Sequence, residues 1–447
     1  MYVNNGSIPD NTVTGFVVGA GGALTEMPNS PFSTGGTTPL SGQGGSTRIA
    51  ISPVANFMFV SNTDSNDVTA FVVDTITGNL SLVPGSPFPT AGFSAFGMSL
   101  AITPDGKFLF AANPSSNTIT IFKVNSNGSL TPVTPLPFFS NGAVVNMRVS
   151  PDGRFLLICT GSLPLRVAAL SISSEGMLSE APGSSILVND FPIQIEVNCA
   201  GDLLFALELP FSGTSKIDVI KIGANGALSR LPGAPFDTHI DLVFAFTISN
   251  DGRFLFLGGL FADQISVFNV AGDGTISPSL SPPLSVPSSS AYLVTNQPGT
   301  TLYAILDGNH VVAATIANDG TLTHVTGSPF PSFTPRFVPS IAAYPPKICE
   351  PLFDVCIQDD SSGSILKVNS TTGDYKFTNC SGVTLTGKGE LIKKGNTITL
   401  QHRSSDRNVL AKIDNGVKKA TASIQIFSQA LYTITDRNMA NNTCACQ

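Results

Sequence analysis

Residues 99–138 read SLAITPDGKFLFAANPSSNTITIFKVNSNGSLTPVTPLPF, and this stretch decides the fold of most of the chain. Its apolar runs fall at residues 100–102, 108–111, 119–124 and, more weakly, 130–133. The runs are separated by the turn-forming segments Pro-Asp-Gly, Asn-Pro-Ser-Ser-Asn and Asn-Ser-Asn-Gly. The stretch is therefore predicted to form one sheet of four short antiparallel strands.

The same pattern recurs along most of the chain. Its clearest marker is an apolar residue two positions after a glycine, found at Leu24, Leu80, Leu130, Leu178, Leu228, Ile276 and Leu322. Consecutive markers lie 46 to 56 residues apart, and seven copies of the unit fit. This period is typical of propeller blades, since each four-stranded sheet buries its faces only against its neighbours. We therefore predict an all-β chain in which residues 1–346 form a seven-bladed β-propeller.

The first copy of the unit lacks its innermost strand, because residues 1–5 already match the second strand of the repeat. Residues 339–345 have the pattern of an innermost strand but follow the seventh copy. Pairing of this segment with residues 1–5 would close the ring and leave no open sheet edge. The sequence therefore predicts a propeller closed by strands from both of its ends.

The repeat ends at the proline pair 345–346, and residues 347–447 are predicted to form a small Cys-containing domain of β-sandwich type. Its expected strands are 364–368, 375–377, 382–385, 397–401, 409–413, 422–427 and 431–434. Five of the seven cysteines lie in this part of the chain: Cys349, Cys356, Cys380, Cys444 and Cys446. Such crowding favours disulfides, with the connectivity left open, and hence an extracellular, periplasmic or cell-surface location.

Composition excludes several classes of function. The net charge of −7 and the lack of a basic stripe argue against a nucleic-acid partner. No apolar run approaches the length of a membrane span, and the first residues lack the basic and apolar regions of a signal peptide. The sequence also lacks zinc, EF-hand and phosphate-loop motifs. We therefore expect no metal and no cofactor.

The repeat carries a family resemblance. The steps D-G-x-F-L-F-x-x-N, N-G-x-L and G-S-P-F resemble those of YVTN-repeat and lactonase-family propellers, relatives of bacterial 6-phosphogluconolactonase. Residues 2–5 (YVNN) and 59–62 (FVSN) are near copies of the tetrapeptide that names the repeat. The resemblance covers residues 1–346 and implies seven blades and, for the enzymes of the family, hydrolysis of a sugar-acid lactone.

The enzymes of this family resemble one another in a histidine that shortly precedes a P-D-G turn and in acidic and arginine side chains near the axis. None of the four histidines stands before such a turn: His239, His310, His324 and His402. Glu208 lies where the family often has an N-E-L step. The resemblance therefore implies the fold, whereas the motif that would mark catalysis is missing.

Polar residues on the innermost strands are the best candidates for a site. Arg148 and Glu196 fall at equivalent heights in adjacent blades, which predicts an ion pair. Arg48, Asn146 and Gln194 stand two residues earlier in their repeats and share that strand face. One hypothesis is a polar mouth that binds a small hydroxylated or anionic molecule. The other is a buried ion pair with satisfied amides that only fixes blade packing.

The sequence alone favours an exported binding or surface-interaction protein, whose partner at the axial mouth is a small molecule, a protein or a surface glycan. The alternative is a lactonase in which Glu208 or Glu196 activates water and Arg148 stabilises the oxyanion. A third interpretation is a structural, self-assembling surface protein.

Overall fold

The computed structural model describes residues 1–6, 10–38, 47–94, 97–134, 137–259, 263–306, 310–332, 340–346 and 349 of the first part of the chain. Beyond these it describes residues 355–358, 365–368, 374–378, 384–394, 397–403, 407–414, 419–426 and 430–438. The chain divides into two compact units, Met1–Cys349 and Glu350–Gln447.

The first unit consists of seven antiparallel sheets, the blades of a propeller, whose strands follow one another from the axis outward. Blade one contains Ser340–Ala342, Tyr2–Asn4, Thr12–Val18, Leu24–Glu26 and Phe32–Ser33. Blade two contains Ile49–Ile51, Phe57–Asn62, Asp67–Val73, Leu80–Leu82 and Phe88–Pro89. Blade three contains Leu100–Ile102, Phe108–Asn113, Thr118–Val124, Leu130–Pro132 and Phe138–Phe139. Blade four contains Val144–Val149, Phe155–Thr160, Arg166–Ile172 and Leu178–Leu187.

The remaining three blades repeat the plan. Blade five contains Phe191–Val197, Leu203–Leu209, Thr214–Ile222, Leu228–Arg230 and Phe236–Asp241. Blade six contains Val243–Ile248, Phe254–Gly259, Gln264–Val270, Ile276–Pro278 and Leu284–Ser285. Blade seven contains Ser290–Thr295, Thr301–Leu306, His310–Ile316, Leu322–His324 and Phe330–Pro331. Two short 3₁₀ turns lie at Ala20–Gly22 and Pro114–Ser116.

Blade one is built from both ends of the unit. Tyr2–Asn4 pairs with Thr12–Val18 on one side and with Ser340–Ala342 on the other, which sets Val3 opposite Ile341. Both side chains of that pair are buried. The innermost strand of blade one therefore comes from the far end of the propeller.

Two motifs of the repeat interlock neighbouring blades. Gly128 of the N-G-x-L step has a φ of +84°, and a Cβ added there would lie 2.6 Å from the Phe57 ring of the preceding blade. Gly176 meets Phe108 in the same way. Glycine suits this turn for two reasons. It readily adopts a positive φ, and its lack of a side chain leaves room for the phenylalanine ring of the preceding blade. Each D-G-x-F step is therefore matched to the N-G-x-L step of the next blade.

The asparagine that ends the YVTN-like tetrapeptide joins two strands of its own blade. In blades one to three this residue is fully buried, and its amide donates hydrogen bonds to side chains on the adjacent third strand. The contacts are Asn5 with Thr12 and Thr14, Asn62 with Asp67 and Thr69, and Asn113 with Thr118 and Thr120. The asparagine is thus a structural part of the blade.

The second unit contains two antiparallel sheets. The first is formed by Val355–Gln358, Ile365–Val368, Asp374–Thr378 and Thr384–Lys388, and the second by Glu390–Lys394, Thr397–Arg403, Arg407–Asp414, Lys419–Ile426 and Ala430–Asn438. The Tyr375 and His402 rings meet edge to face across the sheets at 5.5 Å. Sequence patterns missed the strands Val355–Gln358 and Glu390–Lys394.

One disulfide joins Cys199, in the turn after the innermost strand of blade five, to Cys349. Both residues belong to the first unit, whereas the sequence analysis grouped Cys349 with the cysteines that follow it. The bridge therefore holds the segment after ring closure against blade five. Cys356 lies in a strand of the second unit, and Cys380, Cys444 and Cys446 lie outside the described residues.

Candidate functional site

A cavity of about 330 Å³ lies on the propeller axis, between the innermost strands of the blades. Its wall is mainly apolar and is lined by Ile51, Ile102, Val149, Val197 and Ile341. The turn prolines Pro53, Pro104 and Pro151 line one end, together with Cys349. A concave, largely apolar cavity with a few convergent polar groups is typical of a small-molecule site.

The polar groups of the cavity centre on the predicted pair of Arg148 and Glu196. Arg148 Nη2 donates to Glu196 Oε1 at 2.6 Å and Nε donates to Oε2 at 3.2 Å. The two side chains are 17% and 16% exposed. Burial acts to lower the pKa of Arg148, but the Glu196 carboxylate and the Tyr292 hydroxyl outweigh it and hold that pKa above its ordinary value. The guanidinium is therefore a fixed positive charge.

Two hydroxyl groups complete this polar end of the cavity. Arg148 Nη2 donates to the Tyr292 hydroxyl at 3.0 Å, and Nη1 donates to Thr47 Oγ1. The Thr47 and Tyr292 oxygens lie 3.0 Å apart, so one of them donates to the other. Their mutual hydrogen bond uses only one of two hydroxyl hydrogens, and since the other has no acceptor among the described residues, it is able to donate to a molecule in the cavity.

Glu196 also keeps hydrogen-bonding capacity. Its Oε1 accepts from Arg148 and, at 3.4 Å, from Gln194 Nε2. Within the described residues its Oε2 accepts only from Arg148 Nε. A carboxylate oxygen accepts two hydrogen bonds, so Oε2 is able to hold a water molecule.

Asn146 and Gln194, two of the predicted ligand-binding residues, are fully buried and join neighbouring blades. Asn146 Oδ1 accepts from the Ile195 amide of blade five at 3.2 Å. Gln194 donates to the Phe246 carbonyl of blade six at 2.8 Å and accepts from the Phe246 amide at 3.2 Å. Neither is among the residues that line the cavity. Their contacts between blades fit the structural alternative, and each side chain also contacts the polar group of the cavity: Asn146 Nδ2 donates to Thr47 Oγ1 at 3.4 Å and Gln194 Nε2 donates to Glu196 Oε1 at 3.4 Å.

Arg48 is also separate from the cavity. Its side chain is 1% exposed, and it forms none of the hydrogen bonds that link Arg148 with Glu196 and the two hydroxyls. The structure thus brings two of the five predicted binding residues, Arg148 and Glu196, into the cavity. Side-chain length contributes to this division, because Arg148 reaches the axis while Asn146, on the same strand face, contacts the next blade.

Glu208 occupies, in blade five, the position of the buried asparagine of blades one to three. It pairs in register with Pro192, four residues before Glu196 on the innermost strand, which places it roughly 13 Å further along the strand direction. Glu208 is 1% exposed, and burial, with a further contribution from Asp218, raises its pKa to about 8. It is not among the residues that line the cavity.

Charged groups surround Glu208 where blades one and three carry threonine hydroxyls. Asp218 is fully buried and paired with Arg230 at 2.7 Å, and Lys216 is paired with Asp190 at 2.9 Å. The Asp190 amide donates to Glu208 Oε2 at 3.3 Å. With Glu208 protonated, the two carboxylates, of Asp190 and Asp218, and the two cations, of Lys216 and Arg230, give this group a net charge of zero.

Sequence reasoning missed Thr47 and Tyr292. Tyr292 is the one aromatic residue among the seven that stand at the height of Asn146 in their repeats, and only a side chain of that length crosses to blade four. That difference was visible in the sequence. Thr47 carried no such signal.

Two kinds of feature are absent from the described residues. In that part of the chain no helix is long and apolar enough to cross a membrane. No group of three or more His, Cys, Asp or Glu side chains in the same residues is placed to hold a metal ion.

Comparisons with known proteins agree on the propeller. The family model described as "Lactonase, 7-bladed beta-propeller" matches residues 9–145. The chain is 30% identical over 178 residues to the 6-phosphogluconolactonase of Erwinia tasmaniensis and 32% identical over 182 residues to that of an Enterobacter species. These matches cover 38% and 37% of this chain and 48% and 47% of the relatives. The chain thus spans about half the length of the curated relatives it matches.

Solved structures match over more of the chain. A protein from Bacteroides fragilis superposes with a TM-score of 0.60 at 18% identity, covering 75% of this chain and 96% of its own. The periplasmic gluconolactonase of Pseudomonas aeruginosa superposes with a TM-score of 0.57 at 18% identity, covering 76% and 97%. At these identities the likeness shows the fold alone.

The comparisons overturn the function that the sequence analysis favoured. It predicted a binding or surface-interaction protein, and this prediction is wrong, because the curated relatives are 6-phosphogluconolactonases. The interpretation stated there as the alternative, a lactonase, is the better supported one. The repeat and the seven closed blades together make residues Met1–Cys349 a seven-bladed β-propeller, and the lactonase family model matches its residues 9–145.

Proposed function

We propose that the propeller hydrolyses the lactone of a small sugar acid in the axial cavity. The observation that carries this proposal is the Arg148–Glu196 pair, held at one end of the cavity beside two hydroxyl groups. The naming of the curated relatives as 6-phosphogluconolactonases supports the substrate class. Other partners, such as a protein or a glycan, have no support.

The reaction requires a base for water and a donor for the carbonyl oxygen. Glu196 Oε2 accepts a proton from a bound water while the water oxygen attacks the lactone carbonyl carbon. The free hydroxyl hydrogen of the Thr47–Tyr292 pair donates to the oxyanion that forms, and the adjacent Arg148 charge stabilises it. When the ring C–O bond breaks, protonated Glu196 returns its proton to the ring oxygen, which yields the hydroxy acid.

Arg148 acts in this scheme mainly by holding its neighbours. All five of its N–H groups have acceptors: the Glu196 carboxylate, the Tyr292 and Thr47 hydroxyls and the Met147 carbonyl. A saturated guanidinium fixes both the base and the oxyanion donors in one geometry. The mainly apolar wall lowers the local polarity around these groups and so strengthens these interactions.

The test is an assay of the hydrolysis of 6-phosphoglucono-δ-lactone and glucono-δ-lactone, in which the release of protons measures the rate. We expect Glu196→Gln to lower kcat by about 10²–10³-fold and Tyr292→Phe by about 10²-fold. Glu208→Gln is the matched control, since it removes a buried carboxylate that does not line the cavity, and it should keep the wild-type kcat at pH 7.

Two results would refute the proposal. One is wild-type turnover no faster than spontaneous hydrolysis of either lactone. The other is full activity in Glu196→Gln together with loss of activity in Glu208→Gln, which would move the chemistry to the charged group of blade five.

We also propose that the protein works in an oxidising compartment, outside the cytoplasm. The Cys199–Cys349 disulfide supports this location, because such bridges persist where thiols are not kept reduced. Mass spectrometry of alkylated protein from its native source should find both cysteines protected until a reductant is added. Free Cys199 and Cys349 thiols in that material would contradict the location.

A further inference from the structure

Arg48 is a buried cation that has no counter-charge among the residues the structure describes. Its side chain is 1% exposed, and within the described residues Nε and Nη2 have no hydrogen-bond acceptor and the guanidinium has no ion pair. Burial lowers its pKa to about 10, which leaves it charged at neutral pH. An unpaired charge in the interior is costly, so the arrangement calls for a partner.

The fold gives no structural reason for an arginine at this position. In three other blades the equivalent residue is neutral and accepts a hydrogen bond from the next blade: Ser340 from the Arg48 amide, Asn146 from the Ile195 amide and Gln194 from the Phe246 amide. An arginine side chain has donors only and cannot form such a bond. Blade two therefore lacks this link to blade three.

Two other buried hydroxyl groups near Arg48 along the chain also have no hydrogen-bond partner among the residues the structure describes. The Ser61 amide donates to the Arg48 carbonyl at 3.0 Å, and two residues later Thr63 Oγ1 is buried without a partner. The Leu100 amide of blade three donates to the Thr47 carbonyl at 2.7 Å, and the preceding Ser99 Oγ is also unpartnered. Buried polar atoms of this kind mark places where an ion or water is held.

Strand alternation directs Arg48 toward blade three. Ala50, two residues later, packs with Leu100 and Leu109 of blade three, whereas Ile49 packs with blade one. The two segments that precede the innermost strands of blades two and three in the sequence, residues 33–46 and 90–98, contain neither Asp nor Glu. Local sequence thus supplies no carboxylate to neutralise Arg48.

We propose that the boundary between blades two and three binds a small tetrahedral oxyanion of the phosphate type on Arg48. The guanidinium fork matches two oxygens of such an anion, and a tetrahedral ion has further oxygens for nearby hydroxyl donors. The anion is either free inorganic phosphate or the phosphate group of a phosphorylated sugar acid. This inference does not depend on the proposed hydrolysis, since Arg48 is not among the residues that line the axial cavity.

The experiment measures binding rather than turnover. The thermal midpoint of the full chain is compared in chloride, inorganic phosphate and 6-phosphogluconate at equal ionic strength. We expect phosphate to raise the wild-type midpoint by several degrees and Arg48→Met to abolish that shift. Arg154→Met is the matched control, because this arginine is exposed in a surface turn, and it should shift as the wild type does.

Each outcome decides the proposal. A shift with inorganic phosphate that Arg48→Met abolishes supports a site for the free ion, and a shift with 6-phosphogluconate alone, lost in the same variant, supports the sugar-acid phosphate. No shift in the wild type, or an equal shift in Arg48→Met, overturns it. If Arg48→Met does not fold, Arg48→Lys replaces it, and a phosphate affinity less than threefold weaker in that variant overturns the proposal.

Discussion

Replacing Glu208 by glutamine should stabilise the propeller increasingly as the pH rises. Glu208 is buried, and its Oε1 has no hydrogen-bond partner in the described part of the chain. Burial, followed by the Asp218 charge, raises the pKa of Glu208 from 4.5 to about 8. Between these two pH values the unfolded chain releases the proton while the folded chain keeps it. Folding stability therefore falls as the pH rises through this window, and the loss is complete above the folded pKa.

The size of the effect follows from the width of the window. Each pH unit between the two pKa values changes the free energy of unfolding by about 1.4 kcal/mol, so a window from 4.5 to about 8 is worth about 3–5 kcal/mol once coupling to Asp218 is allowed for. For the 349 residues of the first unit, an unfolding entropy of about 0.7 kcal/mol/K converts this to a Tm difference of about 4–7 °C.

The assay is scanning calorimetry of the wild type, Glu208→Gln and the exposed control Glu26→Gln between pH 5 and 9. The Tm difference between Glu208→Gln and the wild type should be near zero at pH 5 and largest at pH 9. Glu26→Gln should follow the wild type throughout. A difference for Glu208→Gln that stays constant or shrinks with rising pH would refute the account of this carboxyl group.

Three further substitutions test the packing of the propeller by calorimetry. Cys199→Ser removes the bridge to Cys349, which spans 150 residues, and should cost about 5 kcal/mol; a wild-type Tm that is insensitive to a reducing dithiol would contradict this. Gln194→Leu leaves the amide and the carbonyl of Phe246 without their Gln194 partner. It should lower the free energy of unfolding by about 2–4 kcal/mol without changing the KM for lactone. A changed KM at constant Tm would instead show that Gln194 contacts the substrate. Ile341→Ala should cost about 2–5 kcal/mol if the closing strand packs as described, and an unchanged Tm would count against ring closure.

Local sequence predicted the blades because every blade repeats the same short-range chemistry. The seven apolar markers, from Leu24 to Leu322, each begin an outer strand and are all buried. The closing strand was predictable for the same reason, since it carries the innermost-strand pattern. The ion pair of Arg148 and Glu196 also followed from repeat alignment, because equivalent positions in adjacent blades lie side by side.

Features that depend on the path of the chain or on side-chain length were not predictable. The partner of Cys349 is 150 residues away, in a turn that ring closure brings beside it. Glu208 and Glu196 both belong to blade five, but the antiparallel pairing of their strands sets them at different heights. Repeat alignment gives the height of a residue but not the partner of its side chain, as the hydrogen bond between Arg148 of blade four and Tyr292 of blade seven shows.

The function was misjudged because the family's histidine motif is missing. The site described above offers a different set of groups, a carboxylate base with two arginine-bound hydroxyls, and no single sequence motif contains them. They come from four blades. Only the folded ring brings Thr47, Arg148, Glu196 and Tyr292 together.

A crystal structure of the protein soaked with 6-phosphogluconate, the product of the proposed reaction, would show directly whether the axial cavity is the site of lactone hydrolysis. The account predicts density in the axial cavity, with the product carboxylate within hydrogen-bond distance of the Thr47 and Tyr292 hydroxyls and beside Glu196. A product molecule bound at another site, with the axial cavity empty at the same saturating concentration, would contradict it.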